Sequence, residues 1–94
     1  MAARIEVEHL QGDEFRVTIR EGGQRTVHTV TVAPAYARRL GGDGVAREDL
    51  VRRSFEFLLE HEPKESIFGS FDLPVIGRYF PGYETEIARR VGGT

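Results

Sequence analysis

Three histidines are the residues best suited to acid–base or metal chemistry in this chain, and their spacing gives them no common site. His9 and His28 lie in segments that alternate apolar and polar residues, whereas His61 ends an amphipathic segment. No two of them have the i, i+4 spacing that places a pair of metal ligands on one helix face. Cysteine is absent, which excludes disulfides, cysteine-ligated metals and thiol catalysis. We therefore expect no metal site and no cofactor.

The serines and carboxylates do not form a recognisable catalytic pattern either. Ser54 lies inside the amphipathic segment, and no serine has the G-x-S-x-G surroundings of a nucleophile elbow. Paired carboxylates such as Glu48-Asp49 fall on a polar helix face, where solvent leaves them without a role in general acid–base catalysis. The sequence therefore predicts no enzyme activity and assigns no catalytic residue.

Four arginines support an alternative hypothesis, a small nucleic-acid-binding regulator. Three of them share the polar face of a predicted sheet, and the fourth lies on the second of two short helices that outline a degenerate helix-turn-helix: Arg16, Arg20, Arg25 and Arg78. The sheet face has no aromatic residue on which a base could stack. The whole chain has 13 Lys and Arg against 15 Asp and Glu, which gives no strong positive field. Nucleic-acid binding is therefore the second hypothesis.

The aromatic residues are concentrated in the last third of the chain, and they carry the leading hypothesis. Seven of the nine lie between positions 55 and 83. The phenylalanines among them recur at helical spacing and are expected to be core: Phe55, Phe57, Phe68, Phe71 and Phe80. The densest group of residue types enriched at protein interfaces is formed by Arg78, Tyr79, Phe80 and Tyr83. These four are the candidate partner-binding residues, and the partner is another protein or a second copy in a homodimer.

Three segments with strand periodicity must build the sheet beneath these residues. They span about 3–9, 14–21 and 25–32, and apolar residues alternate with polar ones in each. Gly22-Gly23 suits a tight hairpin turn, which places Ile19 opposite Thr26. A three-residue turn between the first two strands sets Glu8 beside Arg16, as a cross-strand ion pair. We expect an antiparallel β-meander whose first and third strands are edges that a partner strand could join.

The segment 47–61 has the longest helical periodicity and predicts a central helix. Its apolar residues cover an arc of roughly 200°, too wide for one neighbour, so a sheet and further helices must pack against it. Short helices are predicted at 34–40, 63–69, 74–80 and 82–91, most of them opened by a proline. The prediction is one α+β domain over 1–94, with a β-meander in 1–33, a helical part in 34–91 and a frayed tail in 92–94.

The same helical part contains a sequence pattern that resembles a segment shared by small bacterial proteins of uncharacterised function. The matching residues read SFEFLL from Ser54, EPKESI from Glu62, FDLPVI from Phe71 and RYFP from Arg78. The resemblance implies a self-standing bacterial domain, and it assigns no activity to any residue.

Hydropathy adds an expectation about location. The chain has no apolar run of about 18 residues, and its N-terminal residues alternate apolar with charged side chains instead of forming a signal-peptide core. We therefore expect a cytoplasmic protein with no membrane segment. With no catalytic pattern and no basic surface, the sequence favours a non-catalytic protein-interaction or assembly module.

Overall fold

The computed structural model describes residues 3 to 91 and has an α+β architecture. In chain order the strands and helices are β1 (Arg4–Gln11), β2 (Glu14–Glu21), β3 (Gln24–Thr31), α1 (Pro34–Gly41), α2 (Arg47–His61), β4 (Ser70–Asp72), α3 (Ile76–Tyr79) and α4 (Tyr83–Val91). Single 3-10 turns precede β4 and α3, at Lys64–Ser66 and Leu73–Val75. The four strands form one mixed sheet in the order β1-β2-β3-β4. The predicted frayed tail, 92–94, lies outside the described residues.

The predicted meander and its register are confirmed. Gly22 and Gly23 both have positive φ, 60° and 82°, which is the backbone conformation that a two-residue hairpin turn requires. Ile19 consequently lies opposite Thr26. The inner face of the sheet is apolar and faces the helices, and the outer face is polar. β1 is longer than predicted and continues to Gln11 through a shift in register after His9.

The central helix α2 is confirmed with its predicted bounds. Its buried residues are Leu50, Val51, Ser54, Phe55, Phe57 and Leu58. Phe55 packs between the sheet and the last third of the chain, with ring centroids 5.6 Å from His28 and 6.0 Å from Phe71. The opposite flank of α2 lies against α4, where Tyr83 and Ile87 are buried on one stripe of the helix. α2 is thus enclosed by the sheet on one side and by helices on the other.

The prediction of a helix over 63–69 is wrong. Pro63 is extended, with φ −71° and ψ 158°, and only the single 3-10 turn Lys64–Ser66 follows it before the chain becomes extended again at Ile67. Gly69 then leads directly into β4. Pro63 therefore opens one tight turn instead of a helix, and the residues after that turn pair with the sheet.

β4 covers part of the edge that β3 was expected to leave open. It runs parallel to β3, with Phe71 opposite Val30, and the Thr29 N–H donates to the Gly69 carbonyl at 2.8 Å. Unpaired backbone groups along a strand are costly when they are shielded from water, so a short returning segment stabilises this edge. β4 therefore covers β3 at its last three residues, Thr29 to Thr31, and there β4 itself is the edge strand of the sheet.

The remaining short helices agree with the sequence more closely. α1 and α4 occupy the predicted segments, and the predicted helix at 74–80 consists of the 3-10 turn Leu73–Val75 followed without a break by α3. Ile76 is buried, whereas Arg78 and Tyr79 on the same short helix are exposed. α3 therefore attaches to the core through one side chain and presents the next residues to solvent.

Candidate partner-binding groove

The histidines occupy separate structural positions. His28 is only 3% exposed; its Nδ1–H donates to the Phe68 carbonyl at 2.8 Å, and its Nε2 lies 2.8 Å from the Thr26 hydroxyl. Because a carbonyl oxygen can only accept, Nδ1 carries a proton. His9 lies against Phe15 with ring centroids 4.7 Å apart. Within residues 3 to 91, no three His, Asp or Glu side chains come together as metal ligands.

His28 has a structural consequence that sequence spacing does not reveal. It lies on β3, and its hydrogen bond to Phe68 joins the sheet to the loop that precedes β4. The imidazole is therefore one of the groups that fix the position of that loop. This contact agrees with a satisfied core histidine and brings no carboxylate beside the ring.

The four arginines of the nucleic-acid hypothesis do not form one patch. Arg16 pairs with Glu8 at 3.0 Å and Arg20 with Glu6 at 3.1 Å, both across the β1–β2 ladder. Arg25 and Arg78 make no ion pair with any residue that the structure describes, but Arg25 lies on β3 and Arg78 on α3 in the helical layer. Half of the predicted cations are thus neutralised, and the rest lie on different layers of the fold.

Tyr83 belongs to the core. Its ring has no exposed surface, and its hydroxyl donates to Ser54 Oγ at 2.7 Å while the Ser54 hydroxyl donates to the Leu50 carbonyl at 2.8 Å. Burial raises the pKa of the Tyr83 phenol above its ordinary value. Of the four candidate partner-binding residues, Tyr83 is therefore not available to a partner in this fold.

Phe68 and Tyr79 form an exposed aromatic pair. Phe68 is 50% exposed and Tyr79 is 62% exposed, and their ring centroids lie 5.5 Å apart at an interplanar angle of 72°. The expectation that Phe68 is core is wrong, because the tight turn after Pro63 buries Ile67 and directs the next side chain outward. One other large hydrophobic side chain of comparable exposure occurs among the described residues, Val27 on the outer face of the sheet.

An apolar groove of about 120 Å³ opens beside this pair. The side chains that form its floor and walls are Leu58, Ile67, Phe71, Val75, Ile76 and Phe80, and Phe68 and Tyr79 stand at its rim. An engineered cavity of about 150 Å³ accepts a benzene molecule, so this groove has room for roughly one apolar side chain. We call it the 68/79 groove.

Polar contacts hold the 62–69 segment, which forms part of the 68/79 groove. Lys64 is only 4% exposed, and its ammonium group lies 2.8 Å from a Glu65 carboxylate oxygen and 3.6 Å from Glu21 at the β2–β3 hairpin. The hydrogen bond to Glu65 holds the pKa of Lys64 above its ordinary value. The ion pair between Lys64 and Glu21 and the bond from His28 to Phe68 attach the 62–69 segment to the sheet, so this side of the groove is held in place by the fold.

The one charged side chain in the groove lining is acidic. It is Glu62, which makes no ion pair with a described residue. The one cation between positions 62 and 77 is Lys64, whose ammonium group is buried and shared between two glutamates. Arg78 lines a separate depression with Glu84 and Thr85. The charge within the groove lining is therefore negative.

Comparison of this chain with family models, with curated proteins and with solved structures gives no match. The resemblance to a bacterial protein family accordingly remains a prediction. No helix within residues 3 to 91 has both the length and the apolar character needed to cross a bilayer.

The sequence predicts an exposed aromatic surface at residues 78 to 83. In the structure the exposed aromatic pair is formed by Phe68 and Tyr79, so this surface extends further toward the N-terminus. Tyr79 and Phe80 line the groove, Tyr83 is buried, and Phe68 and Glu62 are additions that periodicity did not identify. A signal for Phe68 was present in Ile67-Phe68-Gly69, because neighbouring side chains in an extended segment point to opposite sides. The helical interpretation of 63–69 concealed that signal.

Proposed function

We propose that this chain is a non-catalytic protein-interaction module that binds a partner through the 68/79 groove. The observation that carries the proposal is the contact between Phe68 and Tyr79, two of the most exposed large hydrophobic side chains in the described residues, at the mouth of an apolar groove. Single exposed hydrophobic residues are common on protein surfaces, but a contiguous aromatic patch beside a depression is typical of a binding site.

The packing behind the groove supports this proposal. Residues of a binding site are most effective when the surface is formed before the partner arrives, because less conformational entropy is lost on binding. The Lys64–Glu21 and His28–Phe68 contacts hold the loop to the sheet, and buried Ile76 holds α3. The groove therefore has the preorganisation that a docking site needs.

Nucleic-acid binding receives less support than it had from the sequence. Arg16 and Arg20 are engaged in cross-strand ion pairs, and the exposed surface of the 62–77 segment is acidic, which repels phosphates. No described contact aligns Arg25 with Arg78. Nucleic-acid binding therefore stays the alternative hypothesis, and no observation on the described residues favours it.

Site-specific photo-cross-linking tests the proposal directly. The photoreactive residue p-benzoylphenylalanine is incorporated at position 79 or at position 68 of the full chain while it is expressed in cells. These cells are then irradiated, so that the residue cross-links to any protein bound beside it. Position 27 is the matched control, because Val27 is also about half exposed but lies on the outer sheet face. The proposal expects a discrete protein adduct from positions 68 and 79 and none from position 27. Adducts at all three positions, or at none, would refute it.

A further inference from the structure

The acidic surroundings of the 68/79 groove restrict what can bind there. The chain as a whole is nearly balanced in charge, with 13 basic and 15 acidic side chains. Among the described residues, however, the groove lining contains one carboxylate without an ion pair, Glu62, and no cation. The nearest basic side chain along the segment, Lys64, has its ammonium group occupied by Glu65 and Glu21. A partner that brings a carboxylate to this surface would therefore meet repulsion, whereas a cation would find Glu62 free.

We propose that the partner is a protein segment that presents one apolar side chain immediately beside an Arg or Lys. The apolar side chain fills the groove between Phe68 and Tyr79, and the cation pairs with Glu62. This inference rests on the proposed function and names the partner class for the same site. The volume of about 120 Å³ matches an apolar side chain of about the size of Leu, Ile or Met.

A second copy of this chain fits the groove less well. In a two-fold symmetric contact the same patch faces itself, so the Glu62 carboxylates of the two copies would approach one another. Arg78 is not among the residues that line the groove, and it lines a separate depression with Glu84. Charge complementarity therefore favours a different, basic partner over self-association through this surface.

Unbiased peptide selection tests the partner class. A phage-displayed library of random peptides is panned against the full chain, and enriched peptides are synthesised with a fluorescent label for anisotropy titrations. The expected consensus is an apolar residue adjacent to Arg or Lys. An acidic consensus, a consensus without a cation, or no enrichment would overturn the inference.

Charge-reversal variants then test whether the Arg or Lys of a bound peptide pairs with Glu62. Glu62→Lys is expected to weaken binding of an enriched peptide about tenfold or more, because it replaces an attraction by a repulsion. Glu14→Lys is the matched control, because Glu14 is also a carboxylate without an ion pair in the described structure but lies on β2; it should change the affinity less than about twofold. Equal effects of the two reversals would contradict the assignment.

The failures of the two proposals can be told apart. If cross-linking from position 79 captures a partner but the selected peptides lack cations, the groove binds protein and the partner class is wrong. If neither experiment gives a signal at the groove, both proposals fall. If sedimentation shows a dimer that Tyr79→Ala dissociates, the groove is an interface between copies, and the basic-partner inference is overturned.

Discussion

The two flanks of α2 carry aromatic residues in contrasting states. On the α4 flank Tyr83 has no exposed surface and its hydroxyl is hydrogen-bonded to Ser54, and Arg90 bridges Glu60 at 2.8 Å and Glu86 at 2.7 Å. On the flank formed by the 62–80 segment, Tyr79 is 62% exposed and contacts another exposed ring. Tyr79 ends α3 and Tyr83 begins α4, so the difference arises over four residues.

This contrast separates stability from recognition. On the α4 flank the polar groups are hydrogen-bonded or ion-paired to one another and the apolar groups are buried. This flank, which we call the closed flank, therefore contributes to the free energy of folding and leaves little surface for a partner. On the flank formed by the 62–80 segment, which we call the open flank, apolar side chains are held in place but remain exposed to water. Burying them under a partner would therefore contribute favourable free energy to binding. The comparison predicts that substitutions on the two sides affect different measurements.

The largest loss of stability is expected for Phe55→Ala. Phe55 is completely buried between His28 and Phe71, and removing a buried phenylalanine typically costs about 3–5 kcal/mol. Urea unfolding followed by far-UV circular dichroism measures the change, since the chain has no tryptophan. Phe68→Ala is the control on the open flank and should cost less than about 1 kcal/mol. Similar losses for the two variants would break the comparison.

The two hydrogen-bonded hydroxyl groups of Tyr83 and Ser54, on the closed flank, give a second test of its contribution to stability. Tyr83→Phe removes one donor and leaves Ser54 bonded to the Leu50 carbonyl, so we expect a cost of about 0.5–1.5 kcal/mol. Ser54→Ala leaves the buried Tyr83 hydroxyl without an acceptor, and a buried unsatisfied group costs about 1–3 kcal/mol. Urea unfolding of the two single variants and the double variant should rank Ser54→Ala as the more harmful single change. The reverse order would show that Tyr83 finds another partner.

How far the sequence predicts this fold depends on how local each signal is. The register of the β2–β3 hairpin and the bounds of α2 follow from patterns within a few residues, such as Gly22-Gly23 and the apolar arc of 47–61, and both are confirmed. β4 has only three residues, and its pairing with β3 joins segments about 40 positions apart, as does the bond from His28 to Phe68. No local pattern encodes such a contact.

The candidate groove was predictable only in part for the same reason. The sequence identified the right residue types, and Tyr79 and Phe80 do line the groove. Whether Tyr83 or Phe68 would be exposed depends on which side of α4 and of the Lys64–Ser66 turn faces α2, and tertiary packing decides that. The sequence does contain one signal for the burial of Tyr83, because the i, i+4, i+8 spacing of Tyr83, Ile87 and Val91 is typical of a buried helical stripe.

Acid should weaken the closed flank through Glu86. The hydrogen bonds from Arg90 and Arg89 lower the pKa of Glu86 below its ordinary value of 4.5. A carboxylate with a lowered pKa in the folded state stabilises the protein above its unfolded-state pKa, and this contribution is lost as the pH falls through the folded-state value. We therefore expect the free energy of unfolding to decline below about pH 4.5, and to decline less steeply in Glu86→Gln.

Urea unfolding at about pH 7 and about pH 3.5 measures that decline. Glu14→Gln is the control, because Glu14 makes no ion pair among the described residues, and it should leave the difference between the two pH values unchanged. If Glu86→Gln also leaves that difference unchanged, the ion pairs of Glu86 with Arg89 and Arg90 on α4 do not contribute to the loss of stability in acid.

The smallest effect on stability, and the largest on binding, is expected for Tyr79→Ala. The side chain is mostly exposed and contacts Phe68 edge to face, so its removal should change the free energy of unfolding by less than about 1 kcal/mol. A central aromatic residue of an interface commonly contributes 2 kcal/mol or more, so an enriched peptide should bind at least about 30-fold more weakly.

Val27→Ala supplies the matched comparison for Tyr79→Ala, because it also removes an exposed apolar side chain but from the outer sheet face. Both variants should unfold close to the wild-type urea concentration, and only Tyr79→Ala should lose peptide affinity in the anisotropy titration. A variant that keeps its fold and its affinity would mean that the open flank of α2 is uncovered without being used. Loss of affinity together with loss of stability would place Tyr79 with Tyr83, among residues that hold the fold, and would remove the distinction between the two flanks.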